Sequence, residues 1–161
     1  LFMENRPSFI ISLLALNKIG AIAVLINTSL TGDPLVHCIN SSDAVKCIVG
    51  AERAEPLEGV LNQINITKQE DFLWAEDTDQ YSLPDWAIDL KAQLDLSDDK
   101  NLEETNAVRI KDVACYIFTS GTTGVPKAAI CPNQKLMALH LDPDLPNTML
   151  ADSNIFNKGK L

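Results

Sequence analysis

The stretch that decides the fold is Tyr116-Ile-Phe-Thr-Ser-Gly-Thr-Thr-Gly-Val-Pro-Lys127. Its first residues belong to an apolar run, Val113 to Phe118, and a second apolar run, Ala128 to Cys131, follows it. Glycines between the two runs let consecutive backbone N–H groups point at one anion. The hydroxyl side chains add hydrogen-bond donors without bulk, and Lys127 adds a positive charge. The composition therefore predicts two strands joined by a phosphate-binding loop.

This loop differs from a Walker A loop, which requires GxxxxGK followed by serine or threonine. Here Lys127 follows Pro126 and precedes Ala128. By glycine content alone, a generic turn between two strands is an equal alternative to a phosphate site.

The charge of the chain is concentrated in one segment. The 161 residues carry a net charge of −9, and residues 70–104 hold 12 acidic and 2 basic side chains. Nucleic-acid-binding proteins show a basic patch instead, so we expect no nucleic acid partner. The segment is interpreted as a solvated surface excursion and not as a cation site.

Cysteines and histidines show no metal-binding pattern. The four cysteines have no CxxC pairing, and neither His37 nor His140 has a ligand partner at useful spacing. Cys47, Cys115 and Cys131 lie in apolar, strand-like runs and are predicted to be buried free thiols, as in a reducing compartment.

The stretch from Phe9 to Ile26 is mostly apolar and 18 residues long, so a membrane-spanning helix has to be considered. Asn17, Lys18 and Gly20 interrupt its centre, and a lysine at a helix centre costs about 2.5–3.5 kcal/mol on insertion. The stretch is better interpreted as a helix over residues 8–19, buried over much of its surface, followed by a strand over 21–26 that is covered on both faces.

Helices and strands alternate through the next fifty residues, which is typical of an α/β fold with a mainly parallel sheet. Thr31 is predicted to cap a second helix that carries Pro34 in its first turn. Further elements are expected as a strand over 44–49, a helix over 53–63 and a strand over 72–74. Residues 75–106 are predicted to be an acidic surface connection with a little helix.

The loop sequence Thr119-Ser-Gly-Thr-Thr-Gly-Val-Pro-Lys127 resembles the signature phosphate loop of the acyl-adenylate-forming superfamily. That superfamily includes acyl-CoA synthetases, luciferases and the adenylation domains of peptide synthetases. The flanks Tyr116–Phe118 and Ala128–Ile130 are similar to the fatty acid transport protein branch, the very-long-chain acyl-CoA synthetases. Three motifs near the start of the chain also resemble this branch: Glu4-Asn-Arg-Pro7, Lys18-Ile-Gly-Ala21 and Gly32-Asp-Pro-Leu-Val-His37.

The resemblance implies a two-step reaction with ATP, Mg²⁺, coenzyme A and a fatty acid. The fatty acid carboxylate attacks the α-phosphate of ATP, and the thiol of coenzyme A then displaces AMP. The implied ATP- and phosphate-binding residues are Thr119, Ser120, Gly121, Thr122, Thr123, Gly124 and Lys127. Tyr116 is expected to pack in its strand. The resemblance further implies a link to fatty acid uptake, with a location on the cytosolic side of a membrane or in the cytoplasm.

The resemblance covers Met3 to Ala138, so residues 1–138 are expected to form part of an N-terminal adenylation domain. Residues 139–161 diverge and are expected to be a poorly ordered tail. The family's metal-binding acid and C-terminal catalytic lysine follow the loop and are not identifiable here. Two alternatives stay open: an inactive truncated product or interaction fragment, and a carnitine or short-chain acyl-CoA ligase.

Overall fold

The computed structural model describes residues 1–77, 80–119 and 126–136, and within them helices and strands alternate. The helices are α1 (Pro7–Lys18), α2 (Gly32–Ser41), α3 (Ala54–Glu58) and α4 (Leu90–Asp95). The strands are β1 (Ala23–Leu25), β2 (Cys47–Gly50), β3 (Phe72–Ala75), β4 (Ile88–Asp89), β5 (Val113–Thr119) and β6 (Lys127–Pro132). The predicted α/β class is confirmed.

The strands form two three-stranded sheets, with the orders β2-β3-β4 and β1-β5-β6. The first sheet is parallel throughout. In the second, β1 pairs parallel to β5, and β6 returns antiparallel to β5. Parallel neighbours need a crossover connection, which α2, α3 and the long segment before β5 provide. The prediction of a mainly parallel sheet is confirmed.

The larger core lies against the β2-β3-β4 sheet. Leu35 of α2, Leu57 of α3 and Val49 of β2 are fully buried there, together with Phe2. Burying one such side chain is worth roughly 1.5–3 kcal/mol. Because α2 is anchored in this core, its position relative to the β2-β3-β4 sheet is fixed.

The acidic segment contributes more to the fold than a surface connection does. Its strand β4 pairs with β3, and Ala87 beside it is buried. The ring of Trp86 packs edge-on against Phe72 and Trp74, with centroid separations of 5.5 and 6.0 Å. A two-residue strand is too short to produce a periodic pattern, so the sequence did not indicate it. Helix α4 is exposed, as expected of the segment.

Helix α1 corrects the expectation of a largely buried helix. It buries only Ser12 and Leu13, while Ile10, Ile11 and Leu14 are exposed. Among the described residues, only the side of α1 that faces β1 and the smaller core has packing partners. β1 is shorter than predicted, but it packs on both faces as expected, with Val24 against the larger core and Ala23 and Leu25 against the smaller core. Within the described ranges, no helix has the length and apolar character to cross a membrane.

Two further local expectations are corrected. Thr31 occupies the N-cap position of α2, but its side chain makes no capping hydrogen bond. The helix expected over 53–63 is regular only from Ala54 to Glu58, because turns replace it from Gly59 onward.

Gly20 ends α1 in a left-handed conformation, with φ of 74°. A Cβ at this position would lie 3.5 Å from Cγ2 of Val108, so space is not the obstacle. We expect Gly20→Ala to lower the free energy of unfolding by about 1–2 kcal/mol, the cost of a left-handed backbone for an L-residue. Urea denaturation measures the change.

Gly59→Ala is the matched control for Gly20→Ala. Gly59 has a right-handed φ of −61°, and an added Cβ would meet only ordinary contacts. Alanine at such a position is expected to leave stability unchanged or to raise it by about 0.4–1 kcal/mol. Equal losses at both glycines would contradict the conformational explanation.

Candidate functional site

Strands β5 and β6 form an antiparallel hairpin around the predicted phosphate loop. Thr119 pairs with Lys127, and the register continues through Phe118 with Ala128 and Ile117 with Ala129. The two apolar runs of the sequence are therefore strands, as predicted. The loop residues Ser120, Gly121, Thr122, Thr123 and Gly124 lie outside the described residues, so their predicted roles stay predictions.

The hairpin places the two described site residues, Thr119 and Lys127, side by side at the mouth of the loop. The Thr119 hydroxyl donates to the Lys127 carbonyl oxygen over 3.4 Å, and both residues are exposed. The Lys127 ammonium forms no ion pair with any residue in the described ranges. Its charge therefore faces solvent at the exit of the loop.

The position of the loop in the sheet suits ligand binding. Leu25 at the end of β1 pairs with Ile117 near the end of β5, in parallel. The loop consequently leaves β5 at the carboxyl edge of the parallel pair, where open α/β sheets bind their ligands. On the same strand, Tyr116 is half-buried and lines an apolar groove of about 590 Å³ that also borders β1 and β2.

His37 of α2 contacts the exit of the loop. Its ring Nε2 lies 3.1 Å from the carbonyl oxygen of Pro126, the residue before Lys127. A carbonyl only accepts, so Nε2 carries the proton and donates it. No local pattern indicates this contact, because 89 residues separate the two partners. His140 lies outside the described residues.

A His37→Phe substitution removes this donor while keeping an aromatic ring. We expect the free energy of opening at the hairpin to fall by about 0.5–1.5 kcal/mol, the net value of one hydrogen bond. Amide hydrogen exchange in β6 should then accelerate roughly two- to tenfold.

His37→Gln is the matched variant, because the glutamine amide nitrogen reaches the position of Nε2 and still donates. It should restore exchange to near the original rate. Identical acceleration in the two variants would show that the hydrogen bond does not hold the hairpin.

A second cluster of charges lies at the carboxyl ends of β2 and β3. Arg6 bonds the carboxylate of Glu52 at 2.8 Å and that of Asp77 at 3.0 Å. Its remaining terminal nitrogen donates to the Ala75 carbonyl oxygen at 3.0 Å. All three guanidinium nitrogens are engaged, so Arg6 fastens the start of α1 to the β2-β3-β4 sheet and is not free to bind phosphate.

Among the described residues, no group of three or more histidine, cysteine or acidic side chains could hold a metal ion. No magnesium ligand is assigned in this part of the chain. All four cysteines are free thiols. Cys38 and Cys47 are buried like Cys115, whereas Cys131, predicted to be buried, is only partly so because β6 is the outer strand of its sheet.

An α/β scaffold that carries a glycine- and hydroxyl-rich loop between two strands, with a lysine at the loop exit, is typical of proteins that bind phosphate groups. The AMP-binding enzyme family matches residues 1–153. The chain belongs to the AMP-binding enzyme family.

Its relatives include long-chain fatty acid transport proteins and acyl-CoA ligases. Long-chain fatty acid transport protein 6 of Mus musculus is 32% identical over 81% of this chain. Long-chain fatty acid transport protein 1 of Rattus norvegicus is 35% identical over 80%. A medium/long-chain-fatty-acid–CoA ligase of Mycobacterium tuberculosis is 30% identical over 84%. The chain spans 20% of the length of each of these relatives.

Solved structures share the fold. A long-chain-fatty-acid–CoA ligase of Archaeoglobus fulgidus superposes on 85% of the chain with a TM-score of 0.65 and 23% identity, and the match covers 25% of that ligase. A red-emitting luciferase of Phrixothrix hirtus gives the same TM-score over 82% of the chain, at 16% identity and over 25% of the luciferase. The predicted fold, that of the N-terminal domain of adenylate-forming enzymes, is thereby confirmed. The family uses ATP and coenzyme A.

Proposed function

We propose that this chain is the phosphate-binding part of an ATP-dependent long-chain or very-long-chain fatty acyl-CoA synthetase that takes part in fatty acid uptake. One observation carries the proposal: the β5–β6 hairpin presents Thr119 and Lys127 together at the mouth of a loop with the adenylation signature. The names of the relatives support long-chain acids over the carnitine and short-chain alternatives. The synthetase would lie in the cytoplasm or on the cytosolic face of a membrane.

The first step brings a carboxylate to the α-phosphorus of ATP. A carboxylate oxygen bonds to phosphorus, and the bond to the pyrophosphate oxygen breaks. Because an anion meets a polyanion, the protein must neutralise charge on the phosphates, and positioning plus electrostatics supply most of the acceleration. A bound Mg²⁺ would neutralise part of the phosphate charge, and none of the residues named above is assigned as its ligand.

The loop residues have complementary roles in this proposal. The role proposed for the backbone N–H groups around Gly121 and Gly124 is to donate to the β- and γ-phosphates, and the role proposed for the hydroxyls of Ser120, Thr122 and Thr123 is to donate to the same oxygens. Thr119 adds a hydroxyl at the mouth of the loop. Lys127 steadies the departing pyrophosphate, since its ammonium is exposed at the exit. His37 fixes the backbone next to Lys127 through its bond to Pro126.

The division of the chain is part of the proposal. Residues 1–138 contribute to an adenylation domain, and residues 139–161 form a divergent tail. On its own, the 161-residue chain does not turn over ATP, because it spans only 20% of its relatives' length. We expect no fatty-acid-dependent exchange of pyrophosphate into ATP with this chain. Exchange above the level of its Lys127→Ala variant would overturn that expectation.

A chimera tests the proposed function itself. Residues 1–138 replace the matching segment of the Mycobacterium tuberculosis medium/long-chain-fatty-acid–CoA ligase, which is 30% identical. We expect the chimera to catalyse ATP–pyrophosphate exchange that depends on a long-chain fatty acid. Circular dichroism and a melting curve establish that it is folded, and the parent ligase is the reference. A folded chimera without exchange would reject the proposal.

A further inference from the structure

Two cysteines face each other across the hairpin behind the phosphate loop. Cys115 of β5 and Cys131 of β6 are direct partners in the antiparallel register. Opposed residues of such a pair project to the same face, with Cα atoms roughly 4.5 or 5.5 Å apart according to the hydrogen-bonding class of the position. Both values lie within the separation of about 4.4–6.8 Å that a disulfide spans, so the register brings the pair within bridging range, next to a register shift between Val113 and Cys115.

The side chains confirm the common face. Cys115 belongs to the smaller core cluster with Leu13 and Ala23, and Cys131 packs against the same cluster. The two thiols also influence each other's pKa, while the Cys131 thiol donates a long hydrogen bond of 3.9 Å to the Pro132 carbonyl oxygen. Cys115 is fully buried, whereas Cys131 is partly exposed. A reagent from solvent therefore reaches Cys131 first.

The two thiols differ in acidity in the direction that a stepwise oxidation requires. Interaction with the Cys115 thiol, opposed by partial burial and helped by the positive charge of Lys135, lowers the pKa of Cys131 to about 7. The same interaction, together with burial, raises the pKa of Cys115. The more exposed cysteine is therefore the more acidic of the two, and the thiolate is the reactive form.

The other two cysteines lack these features. Burial raises the pKa of the Cys38 thiol to about 11, and it also raises the pKa of Cys47. Cys47 of β2 has Phe72 as its register partner, and Cys38 lies within α2. They are internal controls for any chemistry assigned to the facing pair.

We propose that Cys115 and Cys131 are a redox pair that hydrogen peroxide converts to a reversible disulfide, which joins β5 to β6 covalently behind the predicted phosphate loop. The proposal rests on the hairpin and is independent of the proposed function. Reversible bridges of this kind are the form that disulfides take in reducing compartments.

The oxidation proceeds in two balanced steps. The Cys131 thiolate attacks one peroxide oxygen, an S–O bond forms, the O–O bond breaks, and the departing hydroxide takes a proton to become water. Cys115 then loses its proton and its sulfur attacks the sulfenic sulfur of Cys131. The S–S bond forms, the S–O bond breaks, and a second water leaves. Two thiols lose two electrons and two protons, and the peroxide is reduced.

The bridge would act directly on the strands that carry the loop. Cys115 precedes Thr119 by four positions, and Cys131 follows Lys127 by four. In the described part of the chain, β6 is an outer strand of its sheet and pairs only with β5. Without the bridge, β6 is held by hydrogen bonds and packing alone. With it, the separation of the two strands behind the loop is fixed.

Peptide mapping of the 161-residue chain tests the pair. The reduced chain is treated with hydrogen peroxide, unfolded in the presence of an alkylating reagent, digested and analysed by mass spectrometry. We expect one cross-linked species that contains Cys115 and Cys131, alkylated Cys38 and Cys47, and loss of the cross-link on treatment with dithiothreitol. Four alkylated cysteines, a bridge to Cys38 or Cys47, or Cys131 oxidised to sulfinic acid without a bridge would overturn the proposal.

Variants and hydrogen exchange provide a second readout. Cys38→Ser should keep the cross-link, and Cys131→Ser should abolish it. Oxidation should slow amide exchange in β6 at least severalfold in the original chain and leave β2 and β3 unchanged. Unaltered exchange in a fully cross-linked sample would show that the bridge does not restrain the strand. No step uses ATP, so these outcomes do not depend on whether the loop binds phosphate.

Discussion

Replacing Lys127 with alanine in the ligase chimera should lower the rate of ATP–pyrophosphate exchange by about 10²–10³-fold, as the loss of one preorganised donor to developing charge does in other enzymes. The Lys127 ammonium lies at the exit of the loop, exposed, with its backbone paired to Thr119. It meets the phosphates only when they occupy the loop. Most of the loss should appear in kcat, because charge on the pyrophosphate grows as the bond to the α-phosphorus breaks.

Two control variants test whether the exchange rate depends on a positive charge at the loop or on the loss of any lysine. Lys91→Ala removes an exposed lysine of α4 and should leave the exchange rate unchanged. Lys127→Arg keeps the positive charge but replaces the compact ammonium by a planar guanidinium, so we expect an exchange rate between those of Lys127→Ala and the original chimera. Exchange at the original rate in a folded Lys127→Ala chimera would refute the assignment of this lysine to the pyrophosphate.

Replacing Leu35 with alanine should lower the free energy of unfolding of the 161-residue chain by about 2–5 kcal/mol. Leu35 is fully buried where α2 packs on the β2-β3-β4 sheet. Its truncation removes apolar contact and leaves a cavity among Cys38, Ile39 and their neighbours in a close-packed core. Urea denaturation, followed by circular dichroism, measures the change.

Leu94→Ala is the comparison for Leu35→Ala, since the Leu94 side chain is 62% exposed on α4. That variant should stay within about 0.5 kcal/mol of the original chain. Similar losses for both leucines would mean that α2 is not held by the core described above. Because α2 also carries His37, Leu35→Ala should additionally accelerate exchange in β6, which ties core packing to the loop exit.

The parts of the fold that follow from local pattern were predictable. Continuous apolar runs indicated β2, β3 and β5, and Pro7 and Gly20 indicated the ends of α1 to within one or two residues. The loop and its exit lysine were visible for the same reason, since glycine and hydroxyl content is a local property. The two strands that flank the predicted loop therefore needed no knowledge of the rest of the chain.

The features that depend on distant partners could not be predicted. The two-residue strand β4 exists only because β3 offers it a hydrogen-bonding edge. The apolar residues of α1 predicted a buried helix. A sequence pattern, however, does not show which other element covers an apolar face, and Ile10, Ile11 and Leu14 are exposed. His37 and Pro126 are far apart in sequence, so their contact has no local signal. The pairing of Cys115 with Cys131 depends on the register of the hairpin, which the sequence pattern does not determine.

The parallel pairing of β1 with β5 has a consequence for synthesis on the ribosome. Residues 23–25 pair with residues 115–117, whereas the β2-β3-β4 sheet is complete once residue 89 has emerged. At about 5–20 residues per second, β1 waits roughly five to twenty seconds for its neighbour. During that interval it exposes an unpaired edge beside the apolar face of α1, a surface that chaperones recognise. Within the described part of the chain, the β5–β6 hairpin is thus the last element to dock, and β1 needs protection until it does.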